Sequence, residues 1–155
     1  MKTSHLLAPT MLALSLLPVR AHASDFRYIP PPAAQQQGDV TYLSGGVTIE
    51  ERKVMRPMAR DYNLKLEFAN GKGQYLADVK VAVKDAKGNV VFAGVSSGPW
   101  LYMAVPAGTY EVSAAGQKNK FVKTSDVADS RLADVLFYLK ETPINEATKV
   151  ATMGS

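Results

Sequence analysis

The second half of the chain alternates apolar and polar residues with a period of two, in short runs separated by Gly, Pro and Asn. In the run 78–84, for example, Val79, Val81 and Val83 share one side, and the residues that alternate with them are mostly charged. A period of two places alternate side chains on opposite faces of a strand. Seven strands are predicted in this way, at 64–68, 78–84, 90–95, 100–105, 109–114, 120–124 and 133–139. Short strands at this spacing, with no helical pattern between them, indicate an antiparallel seven-stranded sandwich of the mainly β class and argue against an α/β sheet.

One N-terminal helix is predicted before these strands. Thr48 and Glu51 fit a capping box at its start. The apolar face expected to be buried consists of Ile49, Met55, Met58, Ala59 and Tyr62, and the opposite face carries Arg52, Lys53, Arg56 and Arg60. Pro57 removes a backbone donor, so we expect the helix to be kinked or shortened there.

The first 23 residues are typical of a secretory signal peptide. Lys2 precedes an apolar run at 6–17, and the Ala-His-Ala sequence at 21–23 is a small-x-small cleavage site. The run is too short for the about 20 residues that span a bilayer. We therefore predict cleavage before Ser24, a periplasmic or secreted location, and no membrane insertion after the signal peptide is removed.

The remaining chain divides into three parts by composition. Prolines at 30–32 and glutamines at 35–37 predict a Pro/Gln-rich linker over 24–38. The strand pattern and the helix predict one folded domain over 39–141. The segment 142–155 contains Pro143 and no strand pattern, and it is predicted to be a flexible tail.

The sequence excludes several kinds of chemistry after residue 23. The chain has no cysteine, and both histidines, His5 and His22, lie in the predicted signal peptide. Disulfides, thiolate nucleophiles, Cys/His zinc sites and Ser-His-Asp triads are therefore excluded from the mature chain. The aspartates Asp126, Asp129 and Asp134 lack the alternating ligands and the glycine of a calcium loop. We predict no catalytic residue, no metal site and no cofactor.

The charge of the chain gives little evidence for a nucleic-acid partner. The formal net charge is +4, and it becomes +2 once Lys2 and Arg20 leave with the signal peptide. No dense Lys/Arg tract carries interleaved aromatic residues, so we predict that the protein does not bind nucleic acid.

The segment 79–114, VKVAVKDAKGNVVFAGVSSGPWLYMAVPAGTYEVSA, resembles the carboxypeptidase regulatory-like domain. The resemblance lies in a D-x-x-G turn at Asp85 and Gly88, and in a P-x-G-x-Y corner that ends at Tyr110. That family has a transthyretin-like, or prealbumin-type, β-sandwich, so the resemblance implies an Ig/transthyretin-like sandwich here. It does not imply peptidase activity, because a metallocarboxypeptidase needs histidine ligands that the mature chain lacks.

The flanking segments are similar to a group of small proteobacterial secreted proteins of unknown function. The matching motifs are the Gly45-Gly46 pair, DYNLKL at 61–66, YLADV at 75–79 and GPW at 98–100. The resemblance covers about 39–140 and is specific for the fold rather than for a function.

Two sets of residues are candidates for ligand binding. Trp100 and Tyr102 could form an aromatic platform for a glycan, or they could be core residues on alternating strand positions. Arg52, Arg56 and Arg60 could form a basic platform, or they could be merely solvated. The residues favour a non-catalytic exported module that binds or supports another cell-envelope component, an unknown protein or glycan. The alternative is a carbohydrate- or peptidoglycan-binding module that uses exposed aromatics.

Overall fold

The computed structural model describes residues 28–116 and 119–140. The predicted signal peptide, the first residues of the predicted linker and the predicted tail at 142–155 lie outside the described residues. The helix α1 spans Ile49–Met55 and is followed directly by a 3₁₀ helix, Arg56–Asp61. The strands are β1 (Gln35–Gln37), β2 (Val40–Gly45), β3 (Leu64–Asn70), β4 (Lys80–Lys84), β5 (Val90–Val95), β6 (Trp100–Ala104), β7 (Gly108–Ala115), β8 (Lys120–Val127) and β9 (Ala133–Leu139).

The strands form two sheets that pack face to face. Sheet A has the order β1-β2-β6-β3-β9, and sheet B has the order β5-β4-β7-β8. All neighbours are antiparallel except β3 and β9, which run parallel, with Leu64 opposite Ala133 and Asn70 opposite Leu139. The mainly β, sandwich-like architecture is confirmed. The finer prediction of seven antiparallel strands is wrong, because the described residues contain nine strands and sheet A is mixed.

The two strands that the pattern missed are β1 and β2. β2 does not alternate, since Leu43, Ser44 and Gly45 are buried in succession. This happens because β2 is covered on both faces, by sheet B and by α1, so neither side needs polar residues. β1 lies within the predicted linker, where the three glutamines pair with residues 40–42 of β2 rather than remaining unstructured.

The main core lies between the sheets and follows the predicted alternation. Val79, Val81 and Val83 are at most 3% exposed and pack with Leu66 and Phe68 of β3 in one cluster. Burying side chains of this size stabilises the fold by about 1.5–3 kcal/mol each. The predicted apolar face of these strands is therefore the inner face of the sandwich.

The helix begins as the capping pattern predicted and ends before its proline. The Glu51 amide donates to Thr48 Oγ1 at 3.1 Å, and Glu51 Oε2 accepts from the Val47 amide at 3.0 Å. α1 ends at Met55, and Pro57 lies in the first turn of the 3₁₀ helix, where its missing donor costs little. Ile49 differs from the prediction, since it is 60% exposed rather than part of the buried face.

Gln37 connects the two sheets at their edges. Its side-chain Nε2 donates to the carbonyl of Ala93 at 3.0 Å, and its Oε1 accepts from the Ala93 amide at 2.8 Å. The side-chain amide thus occupies backbone groups on β5, which is an edge strand of sheet B. Edge strands with free backbone groups are sites of unwanted pairing, and this contact covers one of them.

We expect Gln37→Ala to lower the free energy of unfolding by about 1–2 kcal/mol, because it removes both hydrogen bonds to Ala93. The matched control is Gln36→Ala, whose amide donates only to the nearby Gly38 carbonyl. Urea titrations of both variants measure the difference. Equal stability of the two would show that the bond to Ala93 contributes nothing.

Candidate functional site

The predicted aromatic platform is buried. Trp100 is 5% exposed and Tyr102 is 2% exposed. Both lie on β6, in the middle of sheet A, and point to the outer face of that sheet, where Met55 of α1 covers them together with Leu43. The alternating residues Leu101 and Met103 point into the main core. Of the two interpretations of Trp100 and Tyr102, their burial fits core residues rather than a ligand platform, because a helix covers the face that an open sheet would leave to solvent.

The aromatic rings form a second, smaller core. Tyr62 stacks on Tyr102 with ring centroids 5.8 Å apart, and Trp100 meets Tyr102 edge-on at 6.1 Å. Burial raises the pKa of Tyr102, so its phenol remains neutral at physiological pH. The buried Trp100 Nε1 has no hydrogen-bond partner among the described residues.

Three glycines allow close contacts between the helix, β2 and the corner before β6 around this core. Gly46 has a φ of +87°, and a Cβ there would lie 3.3 Å from the Trp100 ring. A Cβ on Gly45 would meet the Glu51 carboxylate, and one on Gly98 would collide with the backbone of Gly45. The Gly-Gly and GPW motifs of the sequence are therefore adjacent in space, and both are places where only glycine fits.

The predicted basic face divides into one structural and two exposed arginines. Arg52 Nη1 donates to the carbonyls of Gly46 at 2.6 Å and Val47 at 3.1 Å, and its guanidinium lies 4.7 Å from the Tyr75 ring centroid. These contacts tie the entry of α1 to the segment after β3. Arg52 is therefore occupied in holding the helix, and its side chain is not a free ligand contact.

Arg56 and Arg60 are exposed, together with Lys53. We call Lys53, Arg56 and Arg60 the basic strip, since their spacing places them along one side of the helical segment. Arg60 lies 3.8 Å from Asp61, and no ion pair involves Lys53 or Arg56 within residues 28–116 and 119–140. The Arg56 guanidinium lies 6.0 Å from the Trp100 ring centroid, over the aromatic core. The structure thus brings two of the five predicted site residues together at the surface.

A charged cluster that the sequence analysis missed lies beside Trp100. Lys65 Nζ lies 2.6 Å from Glu67 Oε2 and 2.9 Å from Asp134 Oδ2. Burial acts to lower the pKa of Lys65, but its hydrogen bonds and attraction to Glu67 and Asp134 outweigh burial and raise it. The alternation in β3 assigned Lys65 and Glu67 to solvent, and the parallel partner that supplies Asp134 leaves no signal in the local pattern.

The aspartates considered for calcium are separated. Asp126 accepts from the Thr109 hydroxyl at 2.6 Å, whereas Asp134 pairs with Lys65. No group of three or more metal-binding side chains is placed to hold an ion in the part of the chain that the structure describes.

A shallow groove of about 290 Å³ crosses the outer face of sheet B. Its main charged lining residues, Lys84 and Glu111, lie 3.8 Å apart and balance each other. The Asp85 carboxylate at its rim accepts from the amides of Lys87 and Asn89, each at 2.9 Å. The groove therefore has less uncompensated charge than the basic strip.

Among the described residues, no helix has the length and apolar character needed to cross a bilayer. Comparison with known proteins adds no assignment: no family model matches the chain, and no curated protein matches it significantly.

Proposed function

We propose that the chain is a non-catalytic, exported module of the carboxypeptidase regulatory-like type that docks another, anionic, cell-envelope component through the basic strip. The observation that carries this proposal is the exposure of Lys53 and Arg56 without an ion-pair partner in the described region, beside Arg60. Side chains of one sign on a rigid element attract a partner of the opposite sign and orient it.

The rigidity of the helical segment supports this role. Arg52 fixes the start of α1 to the backbone at 46–47, and Met55 is fully buried beneath it. The basic strip is therefore displayed on an element that does not need to fold on binding, and a preformed surface avoids the entropic cost of ordering.

The lack of any Cys or His after residue 23 supports a binding role rather than catalysis. The alternative is a glycan-binding module that uses exposed Trp100 and Tyr102, and it is disfavoured because both side chains are buried in the core. No other specific observation favours it.

Reversing the charges of the basic strip tests the proposal. We expect the triple variant Lys53→Glu, Arg56→Glu, Arg60→Glu to bind isolated envelope fractions about ten-fold or more weakly, since each cation near an anionic surface contributes about 1 kcal/mol. The measurement is co-sedimentation of the purified mature chain with envelopes of the exporting cells, at low and high salt. Binding of the unmodified chain should weaken as salt rises.

The matched control reverses the charge of three exposed lysines outside the strip, in the triple variant Lys80→Glu, Lys87→Glu, Lys120→Glu. The control has the same change in net charge. If both triple variants lose binding equally, net charge rather than the basic strip determines it, and the proposal is wrong. It is also wrong if the strip variant binds normally.

A further inference from the structure

Three exposed apolar side chains lie together at the start of the helical segment. Val47 is 59% exposed, Ile49 is 60% exposed and Tyr75 is 44% exposed. Arg52 donates to the Val47 carbonyl at 3.1 Å, and its guanidinium lies 4.7 Å from the Tyr75 ring centroid. Ile49 precedes Arg52 by three positions, which places it one helical turn away on the same side. We call Val47, Ile49 and Tyr75 the apolar corner, and exposed apolar side chains that cluster in this way mark an interaction surface.

The apolar corner and the basic strip belong to one surface. Ile49, Lys53 and Arg56 follow one another at intervals of four and three residues, and all three are exposed. This spacing places them along one side of the helical segment. The other side carries Met55, which is fully buried against sheet A. The surface that faces away from the sandwich therefore has aliphatic side chains at one end and cations along the rest.

The carboxylates of the helical segment offset only part of this positive charge. Glu51 turns back and accepts from the Val47 amide, and Asp61 lies 3.8 Å from Arg60 at the end far from the apolar corner. Glu50 is exposed, and within residues 28–116 and 119–140 it forms no ion pair. Its charge opposes the binding of an anionic partner to this surface, so Glu50 offers a direct test of the sign of the partner's charge.

We propose that this surface binds peripherally to an anionic lipid bilayer, with the apolar corner among the lipid headgroups and the basic strip against their phosphates. The inference rests on the proposed function and identifies the docked component as a lipid surface. Exposed apolar side chains next to cations are the combination by which proteins lie in the interfacial layer of a bilayer without crossing it.

Two different contributions make this attachment stable. Each cation near an anionic bilayer strengthens binding by about five-fold, and salt screens this contribution. Apolar side chains that leave water on binding add a contribution that salt does not screen. Val47 and Ile49 each have enough exposed surface for a gain of about ten-fold. The basic strip supplies the first contribution and the apolar corner supplies the second.

The shape of the apolar corner suits a fluid partner better than a folded one. Val47 and Ile49 protrude from the surface, since more than half of each is exposed. A bilayer accommodates protruding side chains without a complementary pocket, whereas an acidic protein needs one to bury them. Tyr75 combines an apolar ring with a polar hydroxyl, and such side chains are enriched at the level of lipid headgroups.

Co-sedimentation of the full mature chain with protein-free lipid vesicles tests the proposal. Vesicles of phosphatidylethanolamine and phosphatidylglycerol should bind the chain about ten-fold or more tightly than vesicles in which phosphatidylcholine replaces the phosphatidylglycerol. The double variant Val47→Ser, Ile49→Ser should bind the anionic vesicles about ten-fold or more weakly, at unchanged net charge. Glu50→Gln should strengthen binding by about two- to five-fold, and this gain should disappear at high salt.

The matched control for the apolar corner is the double variant Val90→Ser, Val95→Ser. It removes two valines of β5 that are each 58% exposed, close to the exposure of Val47 and Ile49, and it should retain vesicle binding. Equal losses in the two double variants overturn the proposal, because general surface hydrophobicity then determines binding. Normal vesicle binding by the Val47→Ser, Ile49→Ser variant also overturns it.

The vesicle experiment separates this inference from the proposed function. A chain that binds envelope fractions through the basic strip but does not bind the anionic vesicles has a partner other than lipid. That result overturns the lipid proposal and leaves the proposed function in place. A chain that binds neither envelopes nor vesicles overturns both.

Discussion

Replacing Gly98 with alanine should lower the free energy of unfolding by about 3 kcal/mol, near the upper end of the usual cost of overpacking. A Cβ at this position would collide with the Gly45 carbonyl and would lie 2.9 Å from the Gly45 Cα. Backbone atoms cannot rotate away as a side chain can, so either β2 or the corner before β6 must move.

Neither of those segments is free to shift. The Ser97 amide donates to Ser44 Oγ at 2.9 Å, and the Pro99 carbonyl accepts from the Phe68 amide at 2.9 Å. Gly45 is paired with Trp100 at the end of the β2–β6 ladder. Movement to relieve the collision would break these hydrogen bonds, which is why we expect a large effect from one methyl group.

The matched control for Gly98 is Gly71→Ala. Gly71 lies in the turn after β3, and a Cβ there would meet nothing within 4 Å. Its stability should change by less than about 1 kcal/mol, with a small gain from the stiffer unfolded chain. Thermal and urea unfolding of the two variants check this, and a loss for Gly98→Ala no greater than for Gly71→Ala would contradict the close-packed corner.

The strands of the sandwich were predictable where one face meets the core and the other meets solvent. The valines of β4 satisfy this condition, and their alternation located the strand. β2 was missed because Leu43 and Ser44 point to opposite faces and both are buried. The parallel pairing of β3 with β9 was missed for a different reason, since alternation specifies the face of a side chain and not the direction of the neighbouring strand.

The candidate site was predictable only in its helical part. Helical spacing placed Arg56 and Arg60 on the exposed side of the 3₁₀ segment, where the structure has them. The same spacing could not show that Arg52 reaches the Gly46 carbonyl, because that bond depends on the path of the chain before the helix. The cluster of Lys65 with Asp134 depends on tertiary pairing over 69 positions and leaves no local pattern.

The helix over the outer face of sheet A accounts for several of these differences. It buries Trp100 and Tyr102 and removes the alternation of β2. A sequence pattern records the number of buried faces of a strand but not which element covers them. The position of α1 on sheet A is therefore the main feature of the fold that could not be predicted from local sequence patterns.

Replacing Trp100 with alanine should lower the free energy of unfolding by about 3–5 kcal/mol, as expected for truncating a buried aromatic side chain. The ring contacts Tyr102, packs closely against the backbone at Gly46 and lies beneath the Arg56 guanidinium. A cavity there would weaken the packing of α1 against sheet A. The exposed Tyr75, which is 44% accessible, provides the comparison, and Tyr75→Ala should cost about 1 kcal/mol or less.

Trp100→Phe separates the loss of packing from the loss of the indole N–H. That N–H has no partner in the described structure, so removing it should cost nothing and can offset part of the lost contact area. We therefore expect Trp100→Phe to lose less than half as much stability as Trp100→Ala. Urea unfolding of both variants measures this. A near-neutral Trp100→Ala would mean that the ring is presented to solvent, and a Trp100→Phe loss equal to that of alanine would mean that the N–H has an acceptor.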